Sequence, residues 1–325
     1  MLYPLKFNPI FKDKIWGGQK IRTVLKKDFG KLNNCGESWE ISGVEGDVSI
    51  VSNGLLAGNT LNELVEIYMS ELIGEKVYEK FGIEFPLLIK YIDASDKLSI
   101  QVHPNDELAH ERHNAYGKTE MWYVIQADKG AELISGFKEK IDEEAYLKHL
   151  ENKTLKNILN SEKVKPGDVF FIPAGRVHAI GAGILLAEIQ QTSDITYRIY
   201  DWDRLDDKGN PRELHTDLAL DAICYEGKEK FHREFKPLLN QLMNLADCKY
   251  FTTNILEFDQ PFEKSYIDLD SFVIYMCLEG SFDLLANDCE KTKINMGETV
   301  LLPASMDEVN LIPNKKSKLL EIYIS

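Results

Sequence analysis

Residues 167–178 read Gly-Asp-Val-Phe-Phe-Ile-Pro-Ala-Gly-Arg-Val-His, and residues 297–308 read Gly-Glu-Thr-Val-Leu-Leu-Pro-Ala-Ser-Met-Asp-Glu. In each, a turn glycine launches a short β run that a Pro-Ala-small turn then reverses. Upstream the order is kept: MWYVIQADKGAELISGF precedes the first copy, and FVIYMCLEGSFDLLA precedes the second. Each is a β run, a turn glycine (Gly130, Gly280) and another β run. The chain therefore reads as a duplication: two related β-barrels, the larger over 1–240 with helical insertions, the compact one over 241–325. Most of the remaining segments are strand-like runs cut by Gly and Pro, such as PLLIKYIDA, KLSIQVH, ILLAEIQ and ITYRIYDW. Such punctuation favours a closed or sandwiched β architecture. Helical spacing is confined to Asn62–Lys80, to IDEEAYLKHLENKTLKNILN, to LHTDLALDAICYE and to the segment around HERHN.

Composition sets the outer limits. The 325 residues carry 53 acidic and 38 basic side chains, a formal charge of −15, with 44% hydrophobic and 28% charged residues. Those are globular values, and they exclude disordered and fibrous classes. The acidic balance argues against a nucleic-acid partner, yet a few focused Lys and Arg can still hold a small anion. No apolar run suffices to cross a bilayer, and MLYPLKFNPIFKDK lacks the apolar stretch of a signal peptide. The five cysteines, Cys35, Cys224, Cys248, Cys277 and Cys289, are widely spaced and form no CxxC, as expected of reduced thiols in a cytoplasmic protein.

The chemistry gathers in the first half. Gly167, Pro173, Gly175 and His178 stand at the offsets of the second cupin motif, which this stretch resembles and whose histidine binds metal. Gln101 and His103 alternate on one strand and so share a face. Glu120 opens another β run seventeen residues after His103. Gln101, His103, Glu120 and His178 would supply two imidazole nitrogens and two oxygens, a set that suits zinc, with manganese, iron or cobalt as alternatives. The second copy has Glu308 where the first has His178, so its metal is expected to be lost. His110 and His113 are read as a solvated helix face, since no HExxH is present. DDKGNPRE, residues 206–213, is read as a polar turn. No GxGxxG, P-loop or Ser-His-Asp order is present, so nucleotide-dependent and serine-hydrolase chemistry lack support.

Taken together, IWGG, ESWEIS, QVHP, GKTEMWY, PAGRVHAIG and QQTSDITYRIYDWDR resemble the type I mannose-6-phosphate isomerases, in their short bacterial form. The resemblance runs from near Trp16 to Arg204 and weakens through the second barrel. Gln-x-His in place of His-x-His, and a distant Glu120, depart from general cupins but are features of that family. The resemblance implies a mainly β bicupin, two jelly-roll-type barrels, with one zinc ion per chain. It implies interconversion of mannose 6-phosphate and fructose 6-phosphate through a cis-enediol(ate). Arg198 matches the family's catalytic arginine, with electrostatic stabilisation or clamping as its role because it keeps its proton. Glu188 and Lys118 match catalytic positions, and Lys90, Ser99 and Trp16 match the substrate pocket. The resemblance leaves open which residue is the base. The implied partner is a small hexose phosphate, with no nucleic acid, membrane or protein partner. An oxidative iron cupin and a metal-retaining sugar binder without turnover are the competing readings.

Overall fold

The structure is a computed structural model that describes residues 2–206, 208–227, 232–233, 235–287 and 290–325. Cys289 therefore lies outside the described residues, as does Asp207 in the polar turn at 206–213. The chain is mainly β, 39% strand and 16% helix. Three sheets carry it: two of seven strands and one of five.

The first sheet contains, side by side, the strands Glu37–Ile41, Leu87–Ala94, Ile184–Gln191, Glu120–Ala127 and Val169–Ile172. Its central strands are buried on both faces, which explains why LLIKYIDA and ILLAEIQQ read as near-continuous apolar runs. Alternate residues serve different layers. Ile89, Tyr91, Met121, Tyr123, Ala187 and Ile189 face a core shared with the C-terminal sheet. Ile92, Trp122, Val124, Phe170, Ile172 and Leu186 face the five-stranded sheet across a second core. That sheet runs Tyr197–Tyr200, Ile100–Val102, His178–Ala179, Glu132–Phe137 and Leu159–Lys163. Its other side packs Ile100, Val102, Phe137 and Ala179 with Tyr146 and Ala219 of the helices Glu143–Glu151 and Thr216–Ala222.

The C-terminal sheet repeats the strand order of the first. Gln241–Asp247, Thr252–Phe258, Glu308–Tyr323, Val273–Ala286 and Thr299–Leu302 are neighbours in the same sequence of positions. The register repeats as well. Trp122 stands opposite Phe170 and Glu188, and Glu188 opposite Lys90. Tyr275 stands opposite Val300 and Glu321, and Glu321 opposite Asn254. In this lattice Val273, paired with Leu302, occupies the place of Glu120, paired with Ile172. Glu308 is exposed, and the buried residue at that strand end is Val309. Buried Glu321 is matched instead by Lys264 at 2.5 Å, Asn254 at 2.7 Å and the Tyr266 hydroxyl.

The structure departs from the sequence reading in three places. Asn62–Lys80 is not one helix but three, Leu61–Tyr68, Ser70–Ile73 and Glu75–Phe81, turned at Met69 (φ 47°) and Gly74 (φ 93°). Gly74 sits where an added Cβ would meet the Asp270 carbonyl at 2.5 Å, so close packing on the loop that leads into Val273–Ala286 interrupts the helix. The ENKTLKNILN stretch leaves its helix at Glu151 and becomes the strand Leu159–Lys163. In the second copy the two β runs flanking Gly280 form a single strand, Val273–Ala286, irregular near that glycine. Among the described residues no helix is long and apolar enough to cross a membrane.

Candidate active site

Gln101 and His178 are direct partners on adjacent strands of the five-stranded sheet, and Arg198 is the partner of Gln101 on its other side. The first sheet faces them with Glu120, Glu188 and Lys90. His103, Glu120 and His178 are fully buried, and one ligand atom from each lies within 4.8 Å of the others.

Hydrogen bonds fix how these groups present themselves. His103 Nδ1 is 2.8 Å from the Ile195 carbonyl, and His178 Nδ1 is 2.9 Å from the Arg176 carbonyl. Each carbonyl needs an N–H, so both rings turn an Nε2 lone pair inward. His103 Nε2 then faces Glu120 Oε1 at 3.1 Å, and His178 Nε2 faces Glu120 Oε2 at 3.8 Å. Gln101 Nε2 is 3.2 Å from His178 Nε2, and a half-turn of that amide brings its oxygen to the same place. Burial holds the His103 imidazolium form down to about 3 and also lowers His178, so neither ring is protonated near neutrality. Burial alone would raise the Glu120 carboxyl, but its charged surroundings, the Lys118 ammonium foremost, hold it well below the usual carboxylate range. Lone pairs thus face a carboxylate about 3 Å away with no proton between them, the spacing of donors around one tetrahedral zinc. His103 Nε2 and Glu120 Oε2 have no hydrogen-bond partner. Buried unsatisfied atoms of this kind are costly, and a cation between them removes the cost. The donor set fits zinc.

A cavity of about 260 Å³ opens beside this cluster. Of the sequence-proposed residues, Gln101 and Glu120 line it, as do Trp16, Lys90, Ser99, Lys118, Glu188 and Arg198, while His103 and His178 sit behind. Lys118 Nζ is 3.3 Å from Glu120 Oε1, and the Ser99 hydroxyl is 3.3 Å from Gln101 Oε1. Glu188 Oε2 accepts the Trp122 indole N–H at 2.8 Å, and its Oε1 is 3.2 Å from Lys90 Nζ. Burial, reinforced by Glu120, raises the Glu188 carboxyl above its ordinary value despite Lys90 and Lys118. Arg198 Nη1 donates to the Glu213 carbonyl at 2.8 Å, and its buried Nε has no partner.

The comparisons with known proteins agree on one family. The family model for the catalytic domain of type I phosphomannose isomerases matches residues 4–137. Mannose-6-phosphate isomerase ManA of Bacillus subtilis is 37% identical over 314 residues, covering 95% of each chain. The chain belongs to the type I phosphomannose isomerases. The crystal structure of the Bacillus subtilis mannose 6-phosphate isomerase superposes with a TM-score of 0.85 at 31% identity, over 99% of this chain and all of that one. A mannose 6-phosphate isomerase solved with zinc and yttrium shares the fold of this phosphomannose isomerase, with a TM-score of 0.78 at 18% identity over the full length of both chains.

Sequence reasoning overlooked several cavity residues of this family member: Lys14, Glu37, Asp194, Thr196 and Arg212. Glu37 lies inside ESWEIS and Asp194 inside QQTSDITYR, so membership of a quoted motif was an available signal. Arg212 belongs to the stretch read as a polar turn. Bidentate bonds to Asp201, at 2.7 Å from Nε and 2.5 Å from Nη2, swing it into the cavity wall beside Arg198. His113 is also more than helix face: its Nε2 lies 2.8 Å from the Tyr197 hydroxyl and ties its helix to the Arg198 strand.

Proposed function

We propose that this chain interconverts D-mannose 6-phosphate and D-fructose 6-phosphate through a cis-enediol(ate), with one zinc ion per chain held by Gln101, His103, Glu120 and His178. The observation that carries this is the buried trio of converging, proton-free donors beside a cavity that holds both a carboxylate of raised basicity and two guanidinium groups. When bound there, zinc would supply Lewis acidity to sugar oxygens and help fix their orientation.

The chain's own residues account for the rest. Arg198 and Arg212, at one part of the cavity wall, suit the phosphate, because planar guanidinium groups pair with its oxygens bidentately. Trp16 and Ser99 shape the sugar subsite. Glu188 serves as proton carrier: it takes the proton from C2 of the open-chain aldose and returns it to C1, while the proton on O2 passes to O1. Its raised basicity favours that role near neutral pH. Lys90 and Lys118 supply positive charge where the enediolate oxygens develop negative charge.

We also read the two halves, 1–240 and 241–325, as cupin-type β-barrels of which only the first is metal-binding. The repeated strand order and register support this, as do Val273 in the place of Glu120 and an exposed Glu308 at the sequence position of His178. A cytoplasmic location is consistent with Cys35, Cys224, Cys248 and Cys277 being free thiols.

The reaction is tested by incubating the protein with fructose 6-phosphate in heavy water and reading the product by NMR. Deuterium at C2 of mannose 6-phosphate is expected, because a carboxylate carrier exchanges its proton with solvent. Mannose 6-phosphate formed without deuterium would rule out a carrier that exchanges with solvent, and no mannose 6-phosphate at all would rule out the activity.

A further inference from the structure

Glu37 is the second carboxylate on the lysine that pairs with Glu188. Its Oε2 accepts the Trp39 indole N–H at 2.6 Å and stands 4.0 Å from Lys90 Nζ. Its Oε1 stands 3.4 Å from Lys14 Nζ at the open side of the cavity. Lys90 Nζ lies 3.2 Å from Glu188 Oε1 and 5.1 Å from the Trp39 ring centre. Trp39, Lys90, Glu188 and Trp122 are successive cross-strand partners in one row of the first sheet. Each indole therefore anchors one carboxylate, Trp39 holding Glu37 and Trp122 holding Glu188, and Lys90 lies between the two.

We propose that Glu37 is a positioning residue for the isomerisation. It draws Lys90 part-way off Glu188, so that Glu188 keeps an oxygen basic enough to take a carbon-bound proton. This rests on the isomerase reading given above. The physical ground is that a buried ammonium is strongly attracted to any carboxylate within reach. With Glu37 neutral, Glu188 is the one carboxylate left within 4.0 Å of Lys90 Nζ, with Asp194 and Glu120 farther off, and Lys90 closes on it. A tighter ion pair makes Glu188 a weaker base. A purely structural Glu37, needed only to offset a buried lysine during folding, would lower stability and leave turnover per folded molecule unchanged.

The test is a double-mutant cycle on mannose 6-phosphate turnover with Glu37→Gln, Lys90→Met and both together, plus Glu37→Asp, with thermal unfolding of each. Glu37→Gln should lower kcat about tenfold with KM held within about twofold, the pattern of a group that acts on the transition state. Glu37→Asp, which keeps the charge, should recover part of that loss. In the Lys90→Met background the Glu37 change should cost nothing further. Losses that multiply across the cycle, or a kcat unchanged in folded Glu37→Gln, would overturn the proposal. Should Glu37→Gln not fold, Glu37→Asp alone decides by whether kcat falls while KM holds. A wild type inert on mannose 6-phosphate would sink the isomerase reading. The crystal structure of Glu37→Gln then decides the placement: Lys90 Nζ is expected closer to Glu188 than 3.2 Å, and an unmoved Lys90 would refute it.

Discussion

His103 and Glu120 set the sharpest demand on the site, because two electron-rich atoms 3.1 Å apart need a cation between them. Glu120→Gln keeps the volume and removes the charge, so zinc affinity should fall at least about tenfold, read by equilibrium dialysis and metal analysis. Undiminished zinc in that variant would remove Glu120 from the ligand set. Acid should act in a defined direction on the metal-free protein. His103 is depressed from 6.5 to about 3, so between those values the unfolded chain binds a proton that the native chain refuses. Glu37 is depressed from 4.5 to about 2: burial opposes this, but Lys90, Lys14 and the Trp39 N–H outweigh it. Its contribution is present above 4.5 and lost as pH falls towards 2. Both trends weaken the fold on acidification, so the melting temperature in chelator should drop steadily from pH 7 to pH 4. A flat or rising profile would contradict the neutral, buried His103. At this scale the sequence was most informative where spacing along one strand equals spacing in space, as for Gln101 and His103. It was silent on Arg212, because only the Asp201 contact, eleven residues away, turns a loop arginine inward.

At the scale of elements, close backbone approach decides how the ligand strands sit. A Cβ on Gly181 would stand 1.7 Å from the Glu132 carbonyl oxygen, in the turn that follows His178–Ala179. Gly181→Ala must therefore push that strand off its neighbour Glu132–Phe137. The cost should be about 2 kcal/mol or more in denaturant unfolding, with weaker zinc binding in the same variant. Wild-type stability in Gly181→Ala would mean the two strands are not so closely set. Strands were legible in the sequence because doubly buried segments such as LLIKYIDA have few other ways to satisfy their backbone. Helix ends were less so. Thr60 and Glu63 form a capping box that marks the start of Leu61–Tyr68, but the break at Gly74 answers to packing against Asp270, far along the chain.

At the scale of the whole molecule the two halves are bound by one core. Ile89, Tyr91, Met121 and Ile189 of the first sheet pack in the same cluster as Ile255, Ile274, Met276 and Ile322 of the C-terminal sheet. Leu5 pairs with Leu301 across the halves. A chain ending at residue 240 would expose that face, and cooperative unfolding should be lost by calorimetry. A sharp transition in the truncated chain would show that the first half needs no cover. The repeated strand order was foreshadowed by two nine-residue echoes, whereas the back-to-back contact was not, since nothing in a doubly buried strand says which face meets which sheet. The most direct measurement is a coupled assay of purified protein on mannose 6-phosphate, before chelation, after chelation and with zinc restored. Turnover that vanishes with the chelator and returns with zinc is the expected result. Turnover that persists once the metal is gone would contradict the account at its centre.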